Sequence, residues 1–265
     1  MPQSQLHMKL QHETGLSPDY EKLPTPPEPD VAYPYSRPRD AATLIIVDSS
    51  DGTPRVLMGK RHPDHKFMPN KFVFPGGRVD PSDSHLQTGE DLDELTKQRL
   101  LIGMKGKATE NRARALGLAS IRETFEETGL VIGQTIKEPV KTSSIVWKNY
   151  FGHGLVPALS GLSFVARAIT PPRRRRRYDT RFFCASANDI IKNTGTRDGE
   201  LLDLHWLTID EASEIDIPHI TKIILQDLKQ RISSDGFLDR LAPVPFYYTA
   251  PDGFRRHLIT LNATS

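Results

Sequence analysis

The chain has 265 residues, of which 37% are hydrophobic, and its 35 basic and 33 acidic side chains leave a formal net charge of +2. This length and composition allow a sizeable hydrophobic core, and the near balance of charge excludes a dominant electrostatic partner such as a nucleic-acid backbone. A single cysteine, Cys184, excludes an internal disulfide and a cysteine-based zinc site.

The N-terminal region, residues 1–38, holds eight of the 21 prolines. Proline removes a backbone donor and blocks helices, so this composition predicts an extended or disordered extension. Its tyrosines, Tyr20, Tyr33 and Tyr35, leave open an anchoring contact with the folded body or with a second subunit. The folded domain is expected over residues 39–265.

Hydrophobic patterning predicts alternating strands and helices in the rest of the chain. The predicted strands are 41–48, 55–61, 71–77, 161–170, 180–187 and 201–208, and the predicted helices are 88–108, 110–128 and 219–232, with a short helix opening at Asp210. Gly129 provides the stop signal for the second helix. Strands followed by single helices, without repeated βαβ units, favour a mixed α+β domain.

The predicted helix over 110–128 has two contrasting faces. At 100° per residue, Glu123, Glu126 and Glu127 fall within an arc of about 100°. The apolar side chains of Leu118, Ile121 and Phe125 fall within an arc of about 60° on the opposite side. Such a helix buries one stripe and presents three carboxylates on the other, which taken alone fits a solvated acidic face on an ordinary amphipathic helix.

A second segment, FPGGRVD at 74–80, places two glycines at the end of a strand, where they allow close backbone approach. Together the two segments resemble the Nudix box, G-x5-E-x7-R-E-U-x-E-E-x-G-U, in which U is aliphatic. The matching residues are Gly77, Arg122, Glu123, Glu126, Glu127, Gly129 and Leu130, with Thr124 in place of the aliphatic residue. The resemblance implies the Nudix fold, a mixed β-sheet sandwiched between helices (α/β/α), and a hydrolase.

The chain departs from this pattern at two places. The first glutamate of the box falls on Asp83, which is shorter, and its role is left open. In addition, 44 residues separate Gly77 from Arg122, where the pattern allows 13, so the box carries an insertion at about 84–114. The site can survive the insertion if the loop and the helix still meet in space.

A long insertion inside the box is a feature of the peroxisomal coenzyme A diphosphatase-like branch. That branch is also similar to this chain in FVFPGGRVDPSD and TPPRRRRRYDTRFF. Its upstream signature is matched at Arg61, Lys66 and 74–77, but Asn70 replaces a glycine. The resemblance covers residues 40 to about 232, and it implies that Arg61 and Lys66 bind substrate.

The resemblance also implies a metal site. Hard divalent cations neutralise a diphosphate, and carboxylate oxygens are their natural ligands. The implied ligands of Mg²⁺, with Mn²⁺ as the alternative, are Glu123, Glu126, Glu127 and a backbone carbonyl of Gly76 or Gly77. Arg122 is expected to pair with Glu123 and orient it.

The general base stays open between Glu123 and a later carboxylate, Asp198 or Glu200. Those two residues also fit a plain polar turn before a strand. In the basic run 173–177, Arg176 and Arg177 fall where the coenzyme A-like branch carries its basic pair, so the resemblance makes them candidates for contact with substrate phosphate. Residues 173–175 fit a solvated loop.

These observations predict a Mg²⁺-dependent hydrolase that cleaves a diphosphate by water attack, in coenzyme A or an acyl-coenzyme A. The alternatives are ADP-ribose or a dinucleotide as the substrate, or a non-catalytic nucleotide sensor. The expected partner is a small nucleotide diphosphate, with neither nucleic acid nor membrane, and a homodimer is left open. The single cysteine and the absence of a long apolar run predict a cytoplasmic protein, with Cys184, Trp147 and Trp206 in the core.

Overall fold

The fold is built on a large mixed sheet and a smaller antiparallel one. The computed structural model describes residues 15–27, 31–64, 69–86, 88, 90–136, 140–195, 198–232 and 238–261. The strands are β1 (Glu21–Leu23), β2 (Arg39–Asp48), β3 (Arg55–Arg61), β4 (Phe72–Val73), β5 (Gly76–Arg78), β6 (Leu130–Thr135), β7 (Leu155–Pro157), β8 (Ser163–Ile169), β9 (Tyr178–Ser186), β10 (Ile190–Asn193), β11 (Leu201–Thr208), β12 (Val244–Ala250) and β13 (Gly253–Ile259).

The large sheet has the order β1-β13-β12-β8-β9-β2-β3-β11, with β4 beside β3 and β5 beside β2. It is mixed because β2 runs parallel to β9 and β12 runs parallel to β8, whereas the other pairs are antiparallel. The smaller sheet has the order β10-β6-β7. The pairing of β5 with β2 brings the two box glycines to the middle of the large sheet.

Helices cover both faces of the large sheet. They are α1 (Glu94–Leu101), α2 (Glu110–Thr128), α3 (Ile145–Phe151), α4 (Ile209–Glu214) and α5 (His219–Arg231). Side chains alternate along β2, so Leu44 and Ile46 pack with α2 while Ile45 and Val47 pack with α4 and α5. The sheet is therefore sandwiched between helices, as predicted. None of the described helices is long and apolar enough to cross a membrane.

The N-terminal region contributes a strand. β1 pairs antiparallel with β13 and forms one end of the large sheet. Tyr20 lies over the guanidinium of Arg255, which is 3.9 Å from the centre of its ring. Within the described part of residues 1–38, the chain is thus extended and in contact with the domain.

The region after residue 232 adds structure that the sequence analysis did not predict. β12 and β13 form a hairpin around Asp252, and the aromatic residues of VPFYYTA lie in the core. The prediction for Trp206 was wrong, because the residue lies on the edge strand β11 and is 38% exposed. Trp147 is fully buried, and Cys184 is a buried free thiol whose pKa burial raises to about 12.

A buried ion pair joins β8 to β9. Arg167 donates from Nε and Nη2 to the two carboxylate oxygens of Asp179, at 2.9 and 2.8 Å. Burial raises the pKa of Asp179, but the charges of Arg167 and Arg181 outweigh it and hold the pKa well below its usual range. Since both partners are almost fully buried, neither can be rehydrated if the other is removed.

We therefore expect Asp179→Ala to lower the free energy of unfolding by about 3–5 kcal/mol, the usual cost of leaving a buried charge unpaired. Urea denaturation would measure it. The matched control is Lys229→Ala, which breaks an exposed pair with Asp210 and should cost about 0.2–1 kcal/mol. An equal loss of unfolding free energy in Asp179→Ala and Lys229→Ala would show that burial does not make the ion pair more important for stability.

Candidate active site

The acidic residues lie on α2, the long helix that crosses one face of the large sheet. Thr109 caps its start by accepting the backbone N–H of Arg112. Gly129 ends it with φ +74°, a left-handed conformation that glycine adopts without strain. The predicted apolar stripe is buried, but the opposite face is not simply solvated. Glu127 is 1% exposed, so this face of α2 is not the plain solvated acidic face that the spacing alone would allow.

Arg122 lies at the centre of the hydrogen bonds that join the acidic residues of the site. Its Nη1 donates to Glu123 Oε1 at 2.9 Å and to Glu126 Oε2 at 2.6 Å. Its Nη2 donates to the carbonyl of Arg78 at 2.7 Å. The predicted pairing with Glu123 is present, and the same guanidinium also binds a second glutamate and the β5 backbone.

Asp83 holds the side chain of Arg122 in place. It is fully buried, and its carboxylate accepts from Arg122 Nε at 2.9 Å and from Arg122 Nη2 at 3.1 Å. The indole Nε1 of Trp147 donates to the same carboxylate at 3.1 Å. Asp83 is also held locally, because Asp80 donates its backbone N–H to it within a 3₁₀ turn. The shorter carboxylate therefore orients Arg122.

The glycine turn and the helix meet directly despite the intervening insertion. Gly76 donates its N–H to Glu127 Oε2 at 2.9 Å. A Cβ added at Gly77 would lie 2.4 Å from Glu123 Cδ, and one at Gly76 would lie 2.6 Å from the Ala42 carbonyl oxygen. Only glycine allows this approach, so any side chain at position 77 would displace the carboxylate of Glu123.

Burial and mutual repulsion disfavour the charged forms of the glutamates. Burial raises the pKa of Glu123 to about 7, with Arg122 opposing the shift and Glu126 adding to it. Burial also raises the pKa of Glu127 well above its usual value, although Arg61 and the Gly76 N–H act against it. A cation among these carboxylates would relieve both effects.

A second acidic segment, 198–200, lies against the same helix. Asp198 donates its backbone N–H to the Glu126 carbonyl at 2.9 Å and accepts the Glu200 N–H at 2.8 Å. Glu200 Oε1 lies 3.6 Å from Arg61 Nη2, and its charge helps to raise the pKa of Glu123. Both candidate bases are therefore beside the acidic cluster, and the choice between them and Glu123 stays open.

The carboxylate and carbonyl oxygens of the acidic cluster are chemically suited to bind a hard divalent cation. Glu127 Oε1 is buried and has no hydrogen-bond partner among the described residues. Carboxylates and backbone carbonyls are oxygen ligands of the kind that Mg²⁺ and Mn²⁺ accept. No group of three His, Cys, Asp or Glu side chains in the described ranges is already arranged to hold a metal. The Arg122 contacts of Glu123 and Glu126 are consistent with that, because they occupy oxygens that a metal would use.

A cavity of about 820 Å³ opens beside the acidic cluster, on the α5 side of the sheet. Its acidic wall is formed by Glu123 and Glu200, next to Gly76, Gly77 and Arg61. Its remaining walls include basic and apolar residues, among them Arg174, Arg176, Lys222, Phe74, Phe182, Ile217, Ile220, Phe254, Pro26 and Pro27. The sequence analysis missed the apolar wall, although the Pro-Asp-Gly turn before Phe254 marks a hairpin.

The structure separates the predicted pair Arg176 and Arg177. Arg176 lines the cavity, whereas Arg177 is buried and donates to the carbonyls of Thr170 and Ser36 at 3.0 and 2.8 Å. Its guanidinium also lies 5.0 Å from the ring centre of Tyr35. Arg177 therefore holds the loop together, and the expected phosphate contact does not fit its placement. Arg174, assigned to a solvated loop, lines the cavity instead.

Of the two basic residues of the upstream signature, the structure describes Arg61 but not Lys66. Arg61 lines the cavity next to Glu200, so its charge also offsets the acidic cluster. Lys66 lies outside the described residues. Asn70, which replaces a glycine, has φ +61°, and asparagine tolerates that conformation better than most residues.

No protein-family model matches the chain. The chain is 37% identical over 93 residues to a putative nudix hydrolase 7 of Caenorhabditis elegans, a match that covers 35% of the chain and 22% of that protein. A NUDIX hydrolase from Alicyclobacillus acidocaldarius shares the fold, with 22% identity, a TM-score of 0.55 and coverage of 72% and 90% of the two chains. The NUDIX domain of Shewanella oneidensis NrtR, solved with ADP ribose, gives 12% identity, coverage of 75% and 91%, and a TM-score of 0.44, too low to bear on substrate. The fold of this chain is the Nudix fold.

The raised pKa values predict how a divalent cation should affect stability. Glu123 changes from an ordinary pKa of 4.5 to about 7 on folding. A raised carboxyl pKa favours the folded state below pH 4.5, and that stability is lost as the pH rises through about 7. Without metal, the melting temperature should therefore fall between pH 5.5 and pH 8. Mg²⁺ should raise it more at pH 8, because binding requires ionised ligands.

Differential scanning fluorimetry with and without MgCl₂ at the two pH values would measure this difference. Glu123→Gln should reduce the difference between the Mg²⁺ effects on melting temperature at the two pH values. Glu110→Gln, at the exposed start of the same helix, should leave that difference unchanged. An equal Mg²⁺ effect at both pH values would rule out these carboxylates as the ligands.

Proposed function

We propose that this chain is a Nudix hydrolase that uses a divalent cation to cleave the diphosphate of a coenzyme A-type nucleotide. The observation that carries the proposal is the continuity of one cavity from the acidic cluster to a basic and apolar wall. The Arg122-anchored glutamates would serve the diphosphate. Arg176 and the apolar side chains would receive the rest of an elongated substrate.

The metal would be held by Glu123, Glu126, Glu127 and the backbone carbonyl of Gly76 or Gly77. When bound, Mg²⁺ or Mn²⁺ would supply positive charge that neutralises the diphosphate and lowers the pKa of an attacking water. The buried, unpaired Oε1 of Glu127 supports this assignment. Arg122 would keep the glutamates in place, and Asp83 would keep Arg122 in place.

Hydrolysis requires a group that accepts the proton of the attacking water. A base works best when its pKa lies near the operating pH. Burial raises the pKa of Glu123 to about 7 in the absence of metal, and a bound cation would lower it. Glu200 and Asp198 meet the geometric condition, because both lie beside the cluster. The water oxygen would end on one phosphate, and the broken anhydride bond would leave the other phosphate as a monoester.

The cavity supports an elongated substrate over a compact one. Its volume of about 820 Å³ lies in the upper part of the range typical of small-molecule sites. An apolar wall at Phe254, Ile217 and Ile220 suits a chain such as a pantetheine or acyl group. ADP-ribose or a dinucleotide is the alternative, since it would use the same acidic cluster.

A substrate panel tests the proposal. Coenzyme A, dephospho-coenzyme A, ADP-ribose and a diadenosine polyphosphate would be assayed with MgCl₂, and the products separated by chromatography. We expect cleavage of coenzyme A to adenosine 3′,5′-bisphosphate and a phosphopantetheine, and no cleavage in EDTA. Dephospho-coenzyme A should be the poorer substrate, because it lacks the 3′-phosphate expected at the basic side of the cavity, where Arg174 and Arg176 lie.

Cleavage of ADP-ribose without cleavage of coenzyme A would support the alternative substrate. Full activity in EDTA would contradict the metal assignment. Binding of these ligands without any turnover would favour the sensor.

Glu127→Gln tests the metal role more directly. The change keeps the shape and an oxygen that can accept the Gly76 N–H, but it removes a charge. We expect turnover to fall by about two orders of magnitude, comparable to the loss of one electrostatic stabiliser. The metal-free protein should keep its stability, because the raised pKa of Glu127 shows that its buried charge is unfavourable.

The matched control for that variant is Glu110→Gln on the same helix, far from the glycine turn. Its turnover should stay near that of the unmodified protein. A Glu127→Gln enzyme with near normal turnover would contradict the ligand role. A melting temperature lowered by several degrees would instead mean that the residue has a structural role.

A further inference from the structure

Besides Arg61, Lys71 and Arg78, the basic side chains that line the cavity come from two elements and form what we call the basic wall. Arg174 and Arg176 lie on the loop between β8 and β9, and Lys222 lies in the first turn of α5. Among the described residues that line the cavity, the carboxylates are Glu123 and Glu200, both at the catalytic end. Arg174, Arg176 and Lys222 together present positive charge to the cavity, and an anionic group of a ligand would pair with it.

The arginine loop has a defined backbone and is not simply a solvated run of charge. Arg173 has φ +63°, a conformation that is rare for a residue with a side chain. Tyr33 stabilises it by donating its backbone N–H to the Arg173 carbonyl at 3.0 Å. Arg177 fixes the other end of the loop through the carbonyls of Thr170 and Ser36.

The N-terminal region takes part in the cavity itself. Pro26 and Pro27 line it, and the Pro27 carbonyl accepts a hydrogen bond from Arg174 Nη2. Within the described part of the chain the Arg174 guanidinium makes no other hydrogen bond, so its remaining donors can serve a ligand. The segment reaches the cavity from β1, which is paired with β13, and returns along the arginine loop to β2.

We propose that Arg174, braced by Pro26 and Pro27, forms a second anion subsite that recognises a phosphate monoester on the nucleoside part of the substrate. The N-terminal region then determines specificity, because it sets the direction of the guanidinium. The inference rests on the proposed function for the identity of the substrate. What the inference adds is that the subsite prefers a ligand that carries the extra phosphate.

Isothermal titration of the full-length protein with adenosine 3′,5′-bisphosphate and with adenosine 5′-monophosphate tests the subsite. We expect the unmodified protein to bind the bisphosphate at least about tenfold more tightly, the usual gain from a charged hydrogen bond. Arg174→Ala and Arg174→Gln should each remove most of that preference and change the affinity for the monophosphate little.

The matched control is Arg175→Ala, because Arg175 is exposed in the same loop and carries the same charge. It should keep the preference. The double variant Pro26→Gly/Pro27→Gly tests the brace and should reduce the preference several-fold. A melting curve for each variant confirms that the domain stays folded.

Three results would overturn the inference. One is equal affinity of the unmodified protein for the two nucleotides. Another is the same loss of preference in Arg175→Ala as in Arg174→Ala, since that would reflect general electrostatic attraction. The third, an unchanged preference in the double proline variant, would remove the role of the N-terminal region. None of these titrations needs turnover, so a failure of the proposed hydrolysis would be seen separately.

Discussion

The ion pair between Arg122 and Asp83 is the contact on which the rest of the site depends. It joins residues 39 positions apart, at either end of the insertion. Both side chains are buried, so their hydrogen bonds are not weakened by competition with water. Trp147 adds a third element, since its indole reaches the same carboxylate. The insertion can therefore vary in path without moving the glutamates, provided that the pair is kept.

The same acidic cluster combines unfavourable repulsion between carboxylates with favourable contacts to arginines. Carboxylates are forced together by the close approach of Gly77 to Glu123 and by the burial of Glu127. Arg122 and Arg61 offset part of the repulsion, but the raised pKa values show that compensation is incomplete. Raised carboxyl pKa values of this kind are typical of functional sites and also occur in structural ion-pair networks, so they mark this cluster as a candidate site.

Local pattern in the sequence was sufficient for much of the fold. The strands β2, β3, β8, β9 and β11 and the helices α2 and α5 were predicted because each carries its own periodicity and stop signals. The gathering of Glu123, Glu126 and Glu127 on one helical face also followed from spacing alone. Burial of Glu127 did not, because it depends on a glycine turn packed against the helix from a distant part of the chain.

Other features were missed for the same physical reason. Asp83 has a clear role only once Arg122 and Trp147 are beside it, and nothing in its own neighbourhood indicates them. Arg176 and Arg177 are adjacent and identical in the sequence, yet one lines the cavity and the other binds Ser36 and Thr170. The C-terminal hairpin had a turn signal at Asp252-Gly253 that was not used.

The pairing of β1 with β13 has a consequence for self-association. An uncovered β13 would present unpaired backbone groups along its seven residues, which is a template for adding a strand from another molecule. The N-terminal region covers that edge through the three residues of β1 and through residues 15–17, and Pro24, next along the chain, has no N–H to offer. The covering strand is thus a poor template in its turn. Proteolytic loss of this short segment would expose the edge of the sheet and favour aggregation of molecules whose core is still folded.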